Sequence, residues 1–128
     1  MKLFQGGPVV IDTEQQDEIC ILHCKGRLLA GQESEYLRSK LDEIKRLNCS
    51  KLVADFQEVP SIGSMGITFI VCLYKSVGGR FVLTGACPLV RHVLELTRLS
   101  TVIPLVSDTA SGLALLRELG STARAGEG

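Results

Sequence analysis

The side chains best placed to do chemistry cluster in one stretch, Val59-Pro60-Ser61-Ile62-Gly63-Ser64-Met65-Gly66-Ile67-Thr68. Pro60 and Gly63 suit a turn, and the apolar run after Ser64 suits a helix. Ser64 then reads as a helix cap whose hydroxyl accepts a backbone N–H. A serine paired with His23 or His92 would suggest a hydrolase. The nucleophile elbow, however, needs Gly-x-Ser-x-Gly, and Ile62 stands where the first glycine should be. His23 falls mid-strand as a satisfied core or edge residue, and His92 falls on a solvated helix face. No Gly-Lys-Ser or Gly-Lys-Thr follows a glycine-rich turn, so a phosphate-binding loop is absent. Asp55 sits near the end of an apolar strand, where α/β enzymes often keep a carboxylate, but the sequence offers it no partner. The chain is therefore not expected to be an enzyme, and no catalytic residue is assigned.

Metal and cofactor chemistry are equally unsupported. The five cysteines, Cys20, Cys24, Cys49, Cys72 and Cys87, are scattered and form no Cys-x-x-Cys. Cys20 and Cys24 share one face of a strand, as a metal or redox pair would; buried thiols acting as small apolar groups explain them more simply. Fourteen basic and fourteen acidic residues give zero net charge. Bulk attraction to a nucleic-acid backbone is thus excluded as a driving force. Met1 to Gly7 lacks a secretory pattern, and no segment approaches the ~20 apolar residues of a membrane span. A cytoplasmic protein without membrane insertion is expected.

The elements that must hold the Ser64 stretch follow from periodicity. Val9–Ile11 reads as a short edge strand and Ile19–Lys25 as a second, joined by the polar Asp12–Glu18 as an antiparallel hairpin. Glu33–Leu47 reads as a helix with Leu37, Leu41, Ile44 and Leu47 in one apolar stripe, of which Leu37, Leu41 and Ile44 should face the sheet, and Asn48 stops it. Lys51–Phe56 is a buried strand. Ser64–Val77 is a helix ended by Gly78-Gly79, and Arg80–Thr84 is a strand. Pro88 opens a third helix, where its missing N–H costs nothing, and that helix ends near Arg98. Val102–Val106 is a last strand, placed near an edge by Pro104. Ser107 or Asp108 caps a final helix to about Leu119. The order β-β-α-β-α-β-α-β-α implies an α/β domain: a mixed, mostly parallel sheet of about five strands with four helices. One domain over residues 1–120 and a disordered tail over 121–128 are expected.

The stretch resembles the STAS signature, which runs hydrophobic, Asp, Ser, then Ser, Thr or Ala, Gly, Leu, Gly after a strand. Ile62, Ser64, Gly66 and Ile67 fit it directly. Leu52–Phe56 fits the family strand before the signature and Gly79-Arg80-Phe81-Val82-Leu83 the strand after it. Val90–Thr97 fits the next helix, and Val102–Val106 with Ser107-Asp108 the last strand and helix start. Gly63, Met65 and Thr68 depart from the pattern, replacing the Asp, the second small residue and the second Gly. The chain is similar to bacterial anti-sigma-factor antagonists, in which the first signature serine is phosphorylated by an anti-sigma factor that is itself a kinase.

The resemblance implies several things about this chain. Ser64 would be the phosphorylation site, with Ser61 as competing acceptor. Ile62, Gly63, Ser64, Met65, Gly66, Ile67 and Thr68 would form the partner-binding surface. The partners would be an anti-sigma factor of the GHKL-type serine kinase class and a serine phosphatase. Binding would release a sigma factor, and phosphorylation would reverse it; no cofactor is implied. The alternative is a STAS scaffold without phosphorylation, such as a subunit of a lipid-transport ABC complex or part of a signalling assembly.

Overall fold

The computed structural model describes residues 10–26 and 34–127, with side chains over 10–26 and 35–118. Strands β1 (Val10–Gln16), β2 (Ile19–Lys25), β3 (Lys51–Glu58), β4 (Phe81–Thr84) and β5 (Leu105–Val106) form one sheet in sequence order. β1 pairs antiparallel with β2, and every later pair is parallel. Helices α1 (Ser34–Leu47), α2 (Ser64–Ser76) and α3 (Pro88–Leu96) connect the parallel strands, and α4 (Thr109–Glu127) closes the described chain.

The hairpin is tighter than its polarity suggests. Asp12–Gln16 belong to β1 rather than to a loop, and only Asp17 and Glu18 turn, with Asp17 at φ 56. β1 can be polar because it is an edge strand exposed along most of its length. Ile11 alone is buried there, and its N–H donates to the Tyr36 hydroxyl at 2.9 Å, tying α1 to the edge. Val9, expected in this strand, and Glu33, expected to open α1, lie outside the described residues.

Alternation along the strands sorts two layers. Cys20, Leu22, Leu52, Ala54, Phe56, Phe81 and Leu83 face α1, α2 and α3, where Leu37, Ile44, Phe69, Leu73, Val90 and Leu94 complete the main core. Ile19, Ile21, Val53 and Val82 face Leu116 on α4. Gly112 makes that second layer thin: a Cβ there would come within 2.9 Å of the Thr84 side chain, so α4 lies against β4 with no room for alanine.

Three element ends differ from expectation. Asn48 does stop α1, at φ 58, but β3 runs on to Glu58, so Asp55 lies inside the strand and not at its end. The last strand shrinks to Leu105–Val106. Arg98 turns left-handed at φ 65 and Leu99–Thr101 form a 3₁₀ turn. Pro104 has no N–H to give the ladder. Of the two candidate caps, Asp108 caps α4, its carboxylate accepting from the Ser111 N–H at 2.8 Å. α4 itself continues to Glu127, past Leu119. Ala123, Arg124 and Ala125 are among the residue types that favour helix, which suits this extension.

Candidate functional site

The turn between β3 and α2 is built from both sides. At its start, the Val59 N–H bonds the Phe56 carbonyl at 3.0 Å, and Val59 and Ile62 bury their side chains in the core. Pro60 stays exposed between them and Ser61 is half-buried. Across the gap, the β4–α3 loop presses in. Gly85 at φ 70 places its α-carbon where a Cβ would meet the Gln57 backbone at 3.1 Å. That approach brings the Cys87 sulfur to 3.5 Å from the Pro60 carbonyl and 3.7 Å from that of Val59.

Helix capping here differs from the sequence expectation. The N-cap is Gly63, in extended conformation at φ -124, and no side chain caps the helix. Ser64 is instead the first helical residue and is exposed. The sequence suggested a cap because serine before an apolar run usually is one; here the chain turns helical one residue earlier. Gly63 offers only its carbonyl, which accepts from the Ile67 N–H at 3.0 Å. The first N–H groups of α2 therefore have no side-chain partner. Thr68 is exposed one turn on, its hydroxyl donating to the Ser64 carbonyl at 3.0 Å.

The other predicted contact residues divide by depth. Gly66 is buried against the core, and Met65 and Ile67 are half-buried. Met65, Thr68, Phe69 and Cys72 of α2 face Leu37, Arg38 and Leu41 of α1 across a groove of about 200 Å³. Leu41 was expected to face the sheet with Leu37 and Ile44. Those two are buried, while Leu41 is half-buried at the rim of this groove. The groove was not foreseen, because the helical stripe gives a face for each helix but not the gap between two.

His23 and Asp55 form a second polar cluster, on the other side of the sheet. His23 Nδ1 lies 3.2 Å from Asp55 Oδ2, and its Nε2 lies 3.0 Å from Glu14 Oε1. Asp55 Oδ1 also accepts the Gln57 N–H at 3.0 Å. Asp55 thus has the partners that the sequence could not supply. The hydrogen bond to Glu14 raises the His23 pKa above its ordinary value, against a smaller loss from burial, and the bond to Asp55 adds to the rise. Asp55 alternates with Ala54 and Phe56, so its side chain points away from α2 and Ser64. His23, bonded to Asp55 on that face, does not pair with Ser64. His92 is exposed on α3. Among the described residues no cluster of His, Cys, Asp and Glu could hold a metal, and no helix is long and apolar enough to cross a membrane.

The cysteines give one correction. Cys24 is a free buried thiol as expected, but Cys20 is disulfide-bonded to Cys49, with α-carbons 5.9 Å apart. Nothing in the sequence marks Cys49 as its neighbour; α1 intervenes and the helix stop at Asn48 brings it back over β2.

Known structures with this fold include anti-sigma factor antagonists. An anti-sigma factor antagonist from Mycobacterium paratuberculosis is 21% identical, with a TM-score of 0.76, over 85% of this chain and 94% of that one. A putative anti-sigma factor antagonist from Thermotoga maritima is 22% identical, with a TM-score of 0.73, over 84% and 94%. The phosphorylated form of the Bacillus cell-fate determinant SpoIIAA is 14% identical, with a TM-score of 0.65, over 84% and 99%. At such identities the likeness is one of fold. A search of curated protein sequences returned no match. The family model for the STAS domain matches residues 10–112, and with the five-stranded sheet and the signature turn in place, the chain belongs to the STAS domain family.

Proposed function

We propose that this chain is an anti-sigma-factor antagonist: a regulatory binding protein, not an enzyme, that engages an anti-sigma factor through the Ile62–Thr68 turn and is switched by phosphorylation of Ser64. The observation that carries the reading is the exposed Ser64 at the uncapped first position of α2. A phosphate there meets free N–H groups and the positive end of the helix dipole, so the modified chain keeps its fold. It also brings roughly −1.5 to −2 charges to a surface otherwise made of Met65, Ile67 and Thr68. A partner docked on that surface is then repelled. The fold shared with antagonists, one of which, SpoIIAA, is also solved in a phosphorylated form, supports the same role. The partner is a GHKL-type serine kinase, and a serine phosphatase resets the switch.

Incubation with such a kinase and ATP, followed by mass spectrometry, tests the reading. Phosphate on Ser64, lost in Ser64→Ala, is the expected result. Ser64→Asp should weaken partner binding and Ser64→Ala should bind without being released by ATP. Full release of ~3 kcal/mol corresponds to about two orders of magnitude in affinity. Phosphate on Ser61 would relocate the switch. No phosphate with a demonstrated cognate kinase would favour the unphosphorylated scaffold.

A further inference from the structure

The Cys20–Cys49 bond joins two places of unequal access. Cys20 is fully buried in β2 on the main-core side, while Cys49 is half-buried in the connection between α1 and β3. The α-carbons are 5.9 Å apart, within the ordinary span of a disulfide, so the backbone needs no movement to form it. The neighbouring contacts are made by other groups. The Ser50 N–H donates to the Glu18 carbonyl at 3.0 Å, the Ser50 hydroxyl to the Glu18 carboxylate at 2.9 Å, and Lys51 Nζ lies 3.1 Å from that carboxylate. The chain beside Cys49 is thereby tied to the β1–β2 hairpin by contacts that involve neither sulfur.

We propose that Cys20 and Cys49 are a reversible dithiol–disulfide pair, oxidised by peroxide-class oxidants, that latches the C-terminal end of α1 to β2. The half-buried Cys49 meets the oxidant first. Its thiolate attacks hydrogen peroxide, the O–O bond breaks, and a sulfenic acid and water result. The Cys20 thiol beneath it attacks that sulfur and expels a second water. Two thiols and one peroxide thus give one disulfide and two waters. Reduction runs through the same sulfur: a reductant thiolate attacks Cys49, and Cys20 must leave into an apolar interior that disfavours a thiolate. The bond is therefore slow to reduce. Among the described residues the other thiols are not competitors for this step, since Cys24 is buried, and Cys72 and Cys87 lie on α2 and before α3.

The latch encloses the whole of α1, which supplies Leu37, Arg38 and Leu41 to the groove beside the signature turn. Closing it fixes one wall of that groove. This consequence for partner binding rests on the proposed function; the latch itself does not.

The test uses the full chain, reduced and then treated with stoichiometric hydrogen peroxide. Peptide mapping is expected to show Cys20 linked to Cys49 in the wild type and in a variant with Cys24, Cys72 and Cys87 all changed to Ser, and no such link in Cys49→Ser. Hydrogen exchange of the Ser34–Leu47 amides is expected to be at least ~10-fold faster in the reduced protein, with β3 and β4 unchanged. Cys49→Ser should match the reduced wild type and no longer respond to peroxide; Cys20→Ala repeats the comparison should that variant fold poorly. A link to another cysteine, no link, or a link without altered α1 exchange overturns the proposal. Calorimetry of the oxidised and reduced forms with an anti-sigma factor reads the partner arm separately.

Discussion

The two faces of the sheet are drawn from the same strands yet carry different work. On the α1–α3 side, Leu22, Phe56, Phe81 and Leu83 meet three helices in a dry core, and the signature turn hangs from its edge. On the α4 side, Ile21 and Val53 give way along the strands to His23 and Asp55, and His23 bonds both Asp55 and Glu14 at a partly exposed surface. Adjacent residues illustrate the contrast: Phe56 is wholly buried and Asp55, one position before it, is not. Alternation alone assigns one to packing and the other to polar bonding. The polar constellation on the parallel sheet thus lies on the face opposite Ser64.

Substitution at these neighbours should break the comparison most sharply. Phe56→Ala is expected to cost about 3–5 kcal/mol, because it empties a closed core. Asp55→Ala should cost only about 1 kcal/mol, the worth of partly solvated hydrogen bonds. Equal losses in denaturant melts would mean that the polar face is as integral as the core.

Next in size is the bond between β2 and the end of α1. Cys20 and Cys49 are separated by 29 positions, and a closed loop of that length stabilises by about 3–4 kcal/mol through the unfolded chain. Cys49→Ser should lower the melting midpoint by roughly 10 °C against the oxidised wild type, and by little against the reduced one. A variant that melts with the oxidised wild type would remove the bond from the stability of the main face.

The polar face should reveal itself through pH. The His23 pKa is raised when folded, so its contribution is complete below the ordinary value of 6.5 and is lost as pH rises through the higher folded value. The Glu14 pKa is lowered, first by the bond to His23, so its contribution is present above 4.5 and is lost as pH falls through the lower folded value. Both operate fully only between about 4.5 and 6.5. The His23 side chain is 37% exposed, and screening holds its part below about 1 kcal/mol. Stability curves against pH for wild type and His23→Gln should differ in slope above pH 6.5, and parallel curves would dissolve the pairing.

The smallest effects belong to the signature turn. The Ser64 hydroxyl caps nothing, so Ser64→Ala should change stability by less than about 0.5 kcal/mol. Gly63→Asp should stabilise by a few tenths of a kcal/mol by giving α2 a side-chain cap. A loss of about 1 kcal/mol from Ser64→Ala would instead return the capping role to Ser64.

Short-range chemistry was open to reading in the chain itself. Apolar spacing marked α1 and α2, Asn48 and Gly78-Gly79 marked their ends, Pro88 marked the start of α3, and the ordered motifs around Ile62–Thr68 marked the family. Each of these depends on residues a few positions apart, whose preferences act before the chain has folded. What only the tertiary structure decided lies between residues far apart in sequence. Cys20 meets Cys49, and His23 meets Asp55 across 32 positions. α1 stands off α2 by the width of a groove. Even the cap of α2 passed from Ser64 to Gly63, in a turn whose Val59 and Ile62 are buried in the core. Such pairings are fixed by which elements the fold sets side by side, and no single segment's local preference encodes that.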